Sequence, residues 1–204
     1  MSFTDVLGSS DAMPDARVDR TFEMNYRVQV ELDFPSGIGD GRMVYFPDKT
    51  TVGGKDGIVI RLASWQENHE QERYGMFPFG MRGGKYEHGI FSCPNKDMVL
   101  VVSAGQGYYT AADFSDSTLV LPLFPLVGVA AAKEAGLLFF HDFSRVGALS
   151  AAGIAWVSNR IFTDGLKIIG SGRDSLVVEG WDAKFRKTSE VEIAFGDGSI
   201  RGAK

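Results

Sequence analysis

FEMNYRVQVELDF, residues 22–34, alternates without a break. Phe22, Met24, Tyr26, Val28, Val30, Leu32 and Phe34 are apolar, and Glu23, Asn25, Arg27, Gln29, Glu31 and Asp33 are polar. A period of two puts one oily and one wet face on a pleated ribbon. The stretch therefore reads as one long strand of an antiparallel sheet with a solvated side. Its register is fixed, because a slip of one residue would send every apolar group into water.

The rest of the chain must cover that face. Met98–Ser103 is continuously apolar, the pattern of a central strand covered on both sides. Val127–Ala131 and Leu137–Phe140 flank Lys133-Glu134-Ala135-Gly136 as a hairpin, although alanine propensity would also allow a short helix over 129–135. Leu119–Leu126 carries Pro122 and Pro125 and so belongs at an edge or a bend. Asp164-Gly165 reads as a tight turn between strands at 160–163 and 166–169. Trp181–Arg186 and Glu190–Phe195 are alternating runs. Ser64–Glu67 has capping-box spacing, so a short polar helix closed by Gly75 competes there with a loop. Residues 74–91 (YGMFPFGMRGGKYEHGIF) mix aromatics, methionines and glycines around Pro78 and read as a long connection. The fold class expected is all-β and mainly antiparallel. It would be a β-sandwich or a propeller-like, duplicated β-module, with at most one or two short helices. Residues 1–20 are small, polar and acidic and read as a disordered tail; 21–204 reads as a single β-rich domain.

A faint repeat is compatible with duplication, although strand-turn-strand grammar yields such alignments by itself. Gly57, Gly105 and Gly153 are 48 residues apart, and SAGQGYYTAADFSD (103–116) lies over AAGIAWVSNRIFTD (151–164) without gaps. Tyr108 is then matched with Trp156, and Phe114 with Phe162.

Composition excludes several functions. The net charge is −5, and no run of five Lys or Arg occurs. Nucleic acid and anionic membranes both need a concentrated positive field, so neither is expected as a partner, short of a basic patch assembled in three dimensions. The single cysteine, Cys93, allows no internal disulfide, and the amino end lacks a basic and then apolar leader. A reduced, cytoplasmic setting is the expectation.

Catalytic motifs are missing. There is no Gly-x-Ser-x-Gly elbow, no phosphate loop and no calcium loop, so no cofactor and no metal is expected. His69, His88 and His141 form no ligand-spaced pair, and Asp-Gly turns explain most of the aspartates. Trp156 and Arg160, four apart on an expected strand, would share a face and could stack. What remains is the 74–91 connection. Phe77, Phe79, Met81, Arg82 and Tyr86 are residue types found at binding hot spots. The expected function is non-catalytic: an intracellular adaptor or neutralising partner acting through a protein surface or by self-association. The competing readings are a hydrolase built on His88, His141 and carboxylates, and a coat-like or fibre-like assembly protein favoured by 25 glycines in 204 residues.

Overall fold

Alternating burial marks the strand over 26–31: Tyr26 and Val28 are buried, Arg27 and Gln29 exposed. The computed structural model describes residues 16–31, 42–47, 56–66, 69–81, 85–115 and 118–203. The strands are β1 (Arg17–Asp19), β2 (Tyr26–Glu31), β3 (Met43–Tyr45), β4 (Gly57–Gln66), β5 (His69–Pro78), β6 (Gly89–Ser92), β7 (Met98–Ser103), β8 (Gln106–Ala111) and β9 (Leu119–Val120). They continue as β10 (Gly128–Ala132), β11 (Leu137–His141), β12 (Val146–Ser150), β13 (Gly153–Val157), β14 (Asp164–Ser171), β15 (Ser175–Asp182), β16 (Lys187–Ala194) and β17 (Ile200–Ala203). One 3-10 turn, Lys133–Ala135, is the only helical element among the described residues. The protein is all-β.

Four sheets form. The first has strand order β2-β4-β5-β3, the second β1-β6-β7-β8-β9, the third β10-β11-β12-β13 and the fourth β14-β15-β16-β17. Pairing is antiparallel except for β1 with β6 and β3 with β5. Three apolar clusters join them in a row. Ile90, Val99, Val101 and Tyr108 of the second sheet pack on Val28, Ile60, Leu62 and Phe77 of the first. Its other face, with Phe91, Leu100, Val102 and Tyr109, packs on Leu138, Phe140 and Leu149 of the third. Leu137, Phe139, Ala148 and Trp156 then meet Leu166, Leu176, Val178 and Ile193 of the fourth. The continuous apolar runs of β7 and β11 follow from this placement, because inner sheets are covered on both faces.

The end sheets turn polar faces outward. On the first, Arg61 donates to Glu72 at 3.3 Å and to Gln29, and pairs with Glu31 at 3.2 Å. On the fourth, Lys167 lies 4.0 Å from Glu179. Among the described residues no apolar cluster joins the first sheet to the fourth. The architecture is sandwich-like, with sheets stacked in sequence.

The 48-residue recurrence extends to pairing register. Ile90↔Val101 and Phe91↔Leu100 in the second sheet become Leu138↔Leu149 and Phe139↔Ala148 in the third. A bulge between Ala148 and Leu149 then shifts the next strand, so Trp156 pairs with Ala148. Trp156 thus takes the place of Tyr109, which pairs with Leu100, and not that of Tyr108. A gapless alignment has no means of seeing a bulge.

Several local expectations are corrected. The capping-box helix is absent: Ser64 lies in β4, paired with Gln71 of β5. Tyr74–Pro78, expected within a connection, completes β5. Gly75 is tolerated there because a Cβ would sit 2.6 Å from the Phe114 ring and 2.7 Å from the Phe77 ring. Its missing side chain makes room for core aromatics, and Pro78 falls at the strand's last position. Residues 160–163 are not a strand, Asp164 opens β14, and 183–186 is a turn. The alternation over 22–34 is a strand only from Tyr26 to Glu31 within the described residues; 32–34 and most of the tail lie outside them. The hairpin at 128–141 forms as expected.

Candidate functional site

One end of the sheet row is laced by backbone hydrogen bonds running from loop to loop. Gly80 and Met81, just after β5, donate to the carbonyls of Ser103 and Ala104 at 2.9 Å each. Gly105 donates to Glu87, Glu87 to Leu126, and Leu126 back to Gly105, at 2.8–3.0 Å. Gly105 has φ of +82°, and a Cβ there would stand 2.9 Å from Pro125, so this knot requires glycine. Val127 donates to His141, Leu166 to Phe143, Ile161 to Ser144 and Thr163 to Trp181, at 2.8–2.9 Å. Finally Ala183 donates to Thr163 Oγ1 at 3.0 Å. Loops of all four sheets are held side by side.

The exposed Phe and Trp side chains among the described residues, Phe124, Phe143, Trp181 and Phe185, all lie at this end, with Met81 beside them. Phe124 comes within 2.8 Å of where a Gly80 Cβ would be, so it adjoins Met81. Phe143 meets the half-buried Tyr86 edge-on at 6.5 Å. It sits on a turn built by Asp142, whose Oδ1 accepts from the Ser144 and Arg145 amides at 2.7 Å and whose Oδ2 accepts from Arg145 Nε at 3.2 Å and Nη2 at 3.1 Å. Trp181 and Phe185 occupy the end of the β15–β16 hairpin, where Phe185 is 62% exposed.

The five residues singled out in the sequence are divided. Phe77 has no exposure and stacks on Phe46 in the core, so its ring meets no partner surface. Phe79 is half-buried, 5.9 Å from the His88 ring. Met81 is 40% exposed and Tyr86 lines the row. Arg82 lies outside the described residues. Sequence reasoning missed Phe124, Phe143, Trp181 and Phe185. The available signal for Phe124 was its place between Pro122 and Pro125, where no ladder can form.

The histidine–carboxylate alternative finds little geometry. His88 Nδ1 accepts from the Ala104 amide at 3.2 Å, and His141 Nδ1 faces the Asp142 carbonyl at 3.0 Å. Burial lowers the pKa of both imidazoles. Burial raises that of the nearby Glu87, whose Oε2 accepts from the Val129 amide at 3.2 Å. Among the described residues no three His, Cys, Asp or Glu side chains could together hold a metal ion. Cys93 is fully buried, which pushes its thiol pKa up, away from the reactive thiolate. Arg160 donates to the carbonyls of Phe162 and Thr163 at 3.2 Å each, while Trp156 is buried and donates to Phe195; the expected stack is replaced by these bonds.

The opposite end carries a cleft of about 840 Å³, lined in part by Asn25, Tyr26, Asn95, Asp97, Asp113 and Ser115. Its polar groups bond to one another: Asn25 to Asp97 at 2.7 Å, and Ser115 to Asp113.

No protein-family model and no curated protein matches this chain. Among the described residues no helix is long and apolar enough to cross a membrane.

Proposed function

We propose that this chain is a non-catalytic, cytoplasmic protein that binds a protein partner, or its own copy, through the aromatic loop end. The observation that carries the reading is the gathering of Met81, Phe124, Phe143, Trp181 and Phe185 on one end of four stacked sheets. Exposed apolar side chains are ordinary when scattered and informative when grouped. Trp, Phe and Met are enriched in interface cores, and rigid aromatic rings lose little conformational entropy on binding. Tyr86 adds its ring edge-on to Phe143, and Phe79 is half-buried beside His88. Backbone lacing across the end favours a preformed surface, which lowers the ordering cost of association.

A photo-crosslinking residue in place of Met81 tests this. The expected result is one discrete adduct with a partner or a second copy, lost on Phe124→Ser with Phe143→Ser. A crosslinker at Lys133, on the far end, should give none. Equal yields from both ends would overturn the reading.

A further inference from the structure

Resting on that reading, we infer that the partner meets the β15–β16 corner of the loop end with an acidic protein segment bearing apolar side chains. Four cations lie at the corner that carries the exposed rings of Trp181 and Phe185. Lys184, Arg186 and Lys187 lie in or beside the hairpin turn, and all are exposed. Arg160 is brought to the same corner because its loop is tied to the hairpin by Thr163, which accepts from the Ala183 amide at 3.0 Å and donates to the Trp181 carbonyl at 2.9 Å. Lys184 Nζ lies 5.3 Å from the centre of the Phe185 ring. Two carboxylates share the corner, and each is engaged with backbone: Asp182 accepts from the Lys184 amide at 2.8 Å and Asp164 from the Gly165 amide at 2.7 Å. The corner is therefore positive in a chain whose net charge is −5. Three of these cations lie in the run Lys184-Phe185-Arg186-Lys187, and tertiary structure adds Arg160 to them.

Charge decides the occupant. A membrane or a nucleic acid is an extended sheet or line of negative charge and would feel the acidic remainder of the molecule as well as this corner. A short acidic segment feels only the charges within about one screening length, ~10 Å at 0.1 M salt. Asp164 and Asp182 would repel a uniformly anionic surface, but a protein segment can set hydroxyl or amide donors against them. Trp181 and Phe185 give such a segment apolar anchors, and the surrounding cations exclude the wrong sign of charge.

The test titrates the full chain with a fluorescein-labelled peptide of alternating Glu and Leu. A Lys–Leu peptide, phosphatidylserine-containing vesicles and oligo-dT serve as comparisons. Binding is expected to the Glu–Leu peptide above the other three probes. K184E/R186E/K187E should weaken it about tenfold or more at low salt, and far less at about 300 mM salt. Phe185→Ser should weaken it at both salts, and so large an exposure makes this variant fold normally, which circular dichroism checks. Preference for vesicles or oligo-dT, or indifference to charge reversal, overturns the acidic-segment assignment. If the Met81 adduct still depends on Phe124 and Phe143 in that case, the interaction surface stands and only its charge preference has failed.

Discussion

The rings of Phe46 and Phe77 lie face to face, 4.2 Å between centroids and 5° from parallel, and neither is exposed. Phe114 closes on Phe46 edge-on at 5.2 Å. Two residues further along, Phe79 is already half-buried and outside the strand. Phe77→Ala should therefore cost about 3–5 kcal/mol, as for other buried Phe truncations. Phe79→Ser should cost much less, about 1 kcal/mol. Urea unfolding of the two variants measures the difference, and equal losses would place Phe79 in the core.

Asp142 fixes the turn that presents Phe143. Removing its carboxylate strips acceptors from two backbone amides and from the Arg145 guanidinium. Asp142→Ala is expected to lower stability by about 2–3 kcal/mol, the order set by buried donors left unsatisfied. It should also weaken any binding that Phe143→Ser weakens. Unchanged binding with lowered stability would show that the turn matters to the fold alone.

Stability should fall on mild acidification. Burial holds the imidazoles of His88 and His141 below the usual 6.5. As pH falls through 6.5 the unfolded chain takes up protons that the folded chain refuses. The stabilisation is thus complete above that value and is lost below it. Each of these histidines contributes at most about 1.4 kcal/mol per pH unit. Glu87 acts with the opposite sign: its raised pKa makes the folded state hold a proton longer as pH climbs above the usual 4.5, so its effect on stability declines with rising pH. Urea midpoints at about pH 5 and about pH 7 should differ less for His141→Asn than for the parent chain.

Glycines separate by what surrounds them. A Cβ at Gly147 would stand 2.3 Å from the fully buried Phe140 ring. At Gly170 nothing lies within 4 Å. Gly147→Ala should cost about 1–3 kcal/mol by overpacking, and Gly170→Ala should be neutral or stabilising by about 0.4–1 kcal/mol. Thermal midpoints check both, and a loss at Gly170 as large as at Gly147 would contradict the packing described.

Cys93 should be inert in the native state. It is buried, and its thiol pKa is raised. A thiol-reactive dye should label it only as fast as the protein unfolds, with the rate climbing through the urea transition. Prompt labelling in buffer would mean that this part of the core opens locally.

The sequence by itself determined the class of structure and much of its grain. Alternation at 26–31, the unbroken apolar run of β7 and the hairpin joining β10 to β11 are local patterns, and side-chain period reports them directly. It failed where a local rule met a tertiary need: Gly75 reads as a breaker until the Phe77 and Phe114 rings are seen to occupy its missing side chain. The candidate site was legible only in part. Met81 and Tyr86 could be chosen by residue type, but Phe77 of the same type went to the core, because which face of β5 meets the second sheet is not written in β5. Phe124, Phe143 and the Trp181–Phe185 hairpin stand apart in the chain and share one end only because four sheets stack in order with these loops side by side. Strand period is a property of neighbouring residues, whereas the grouping of loops depends on long-range sheet order; the first needs only the sequence, and the second exists only once the chain has folded.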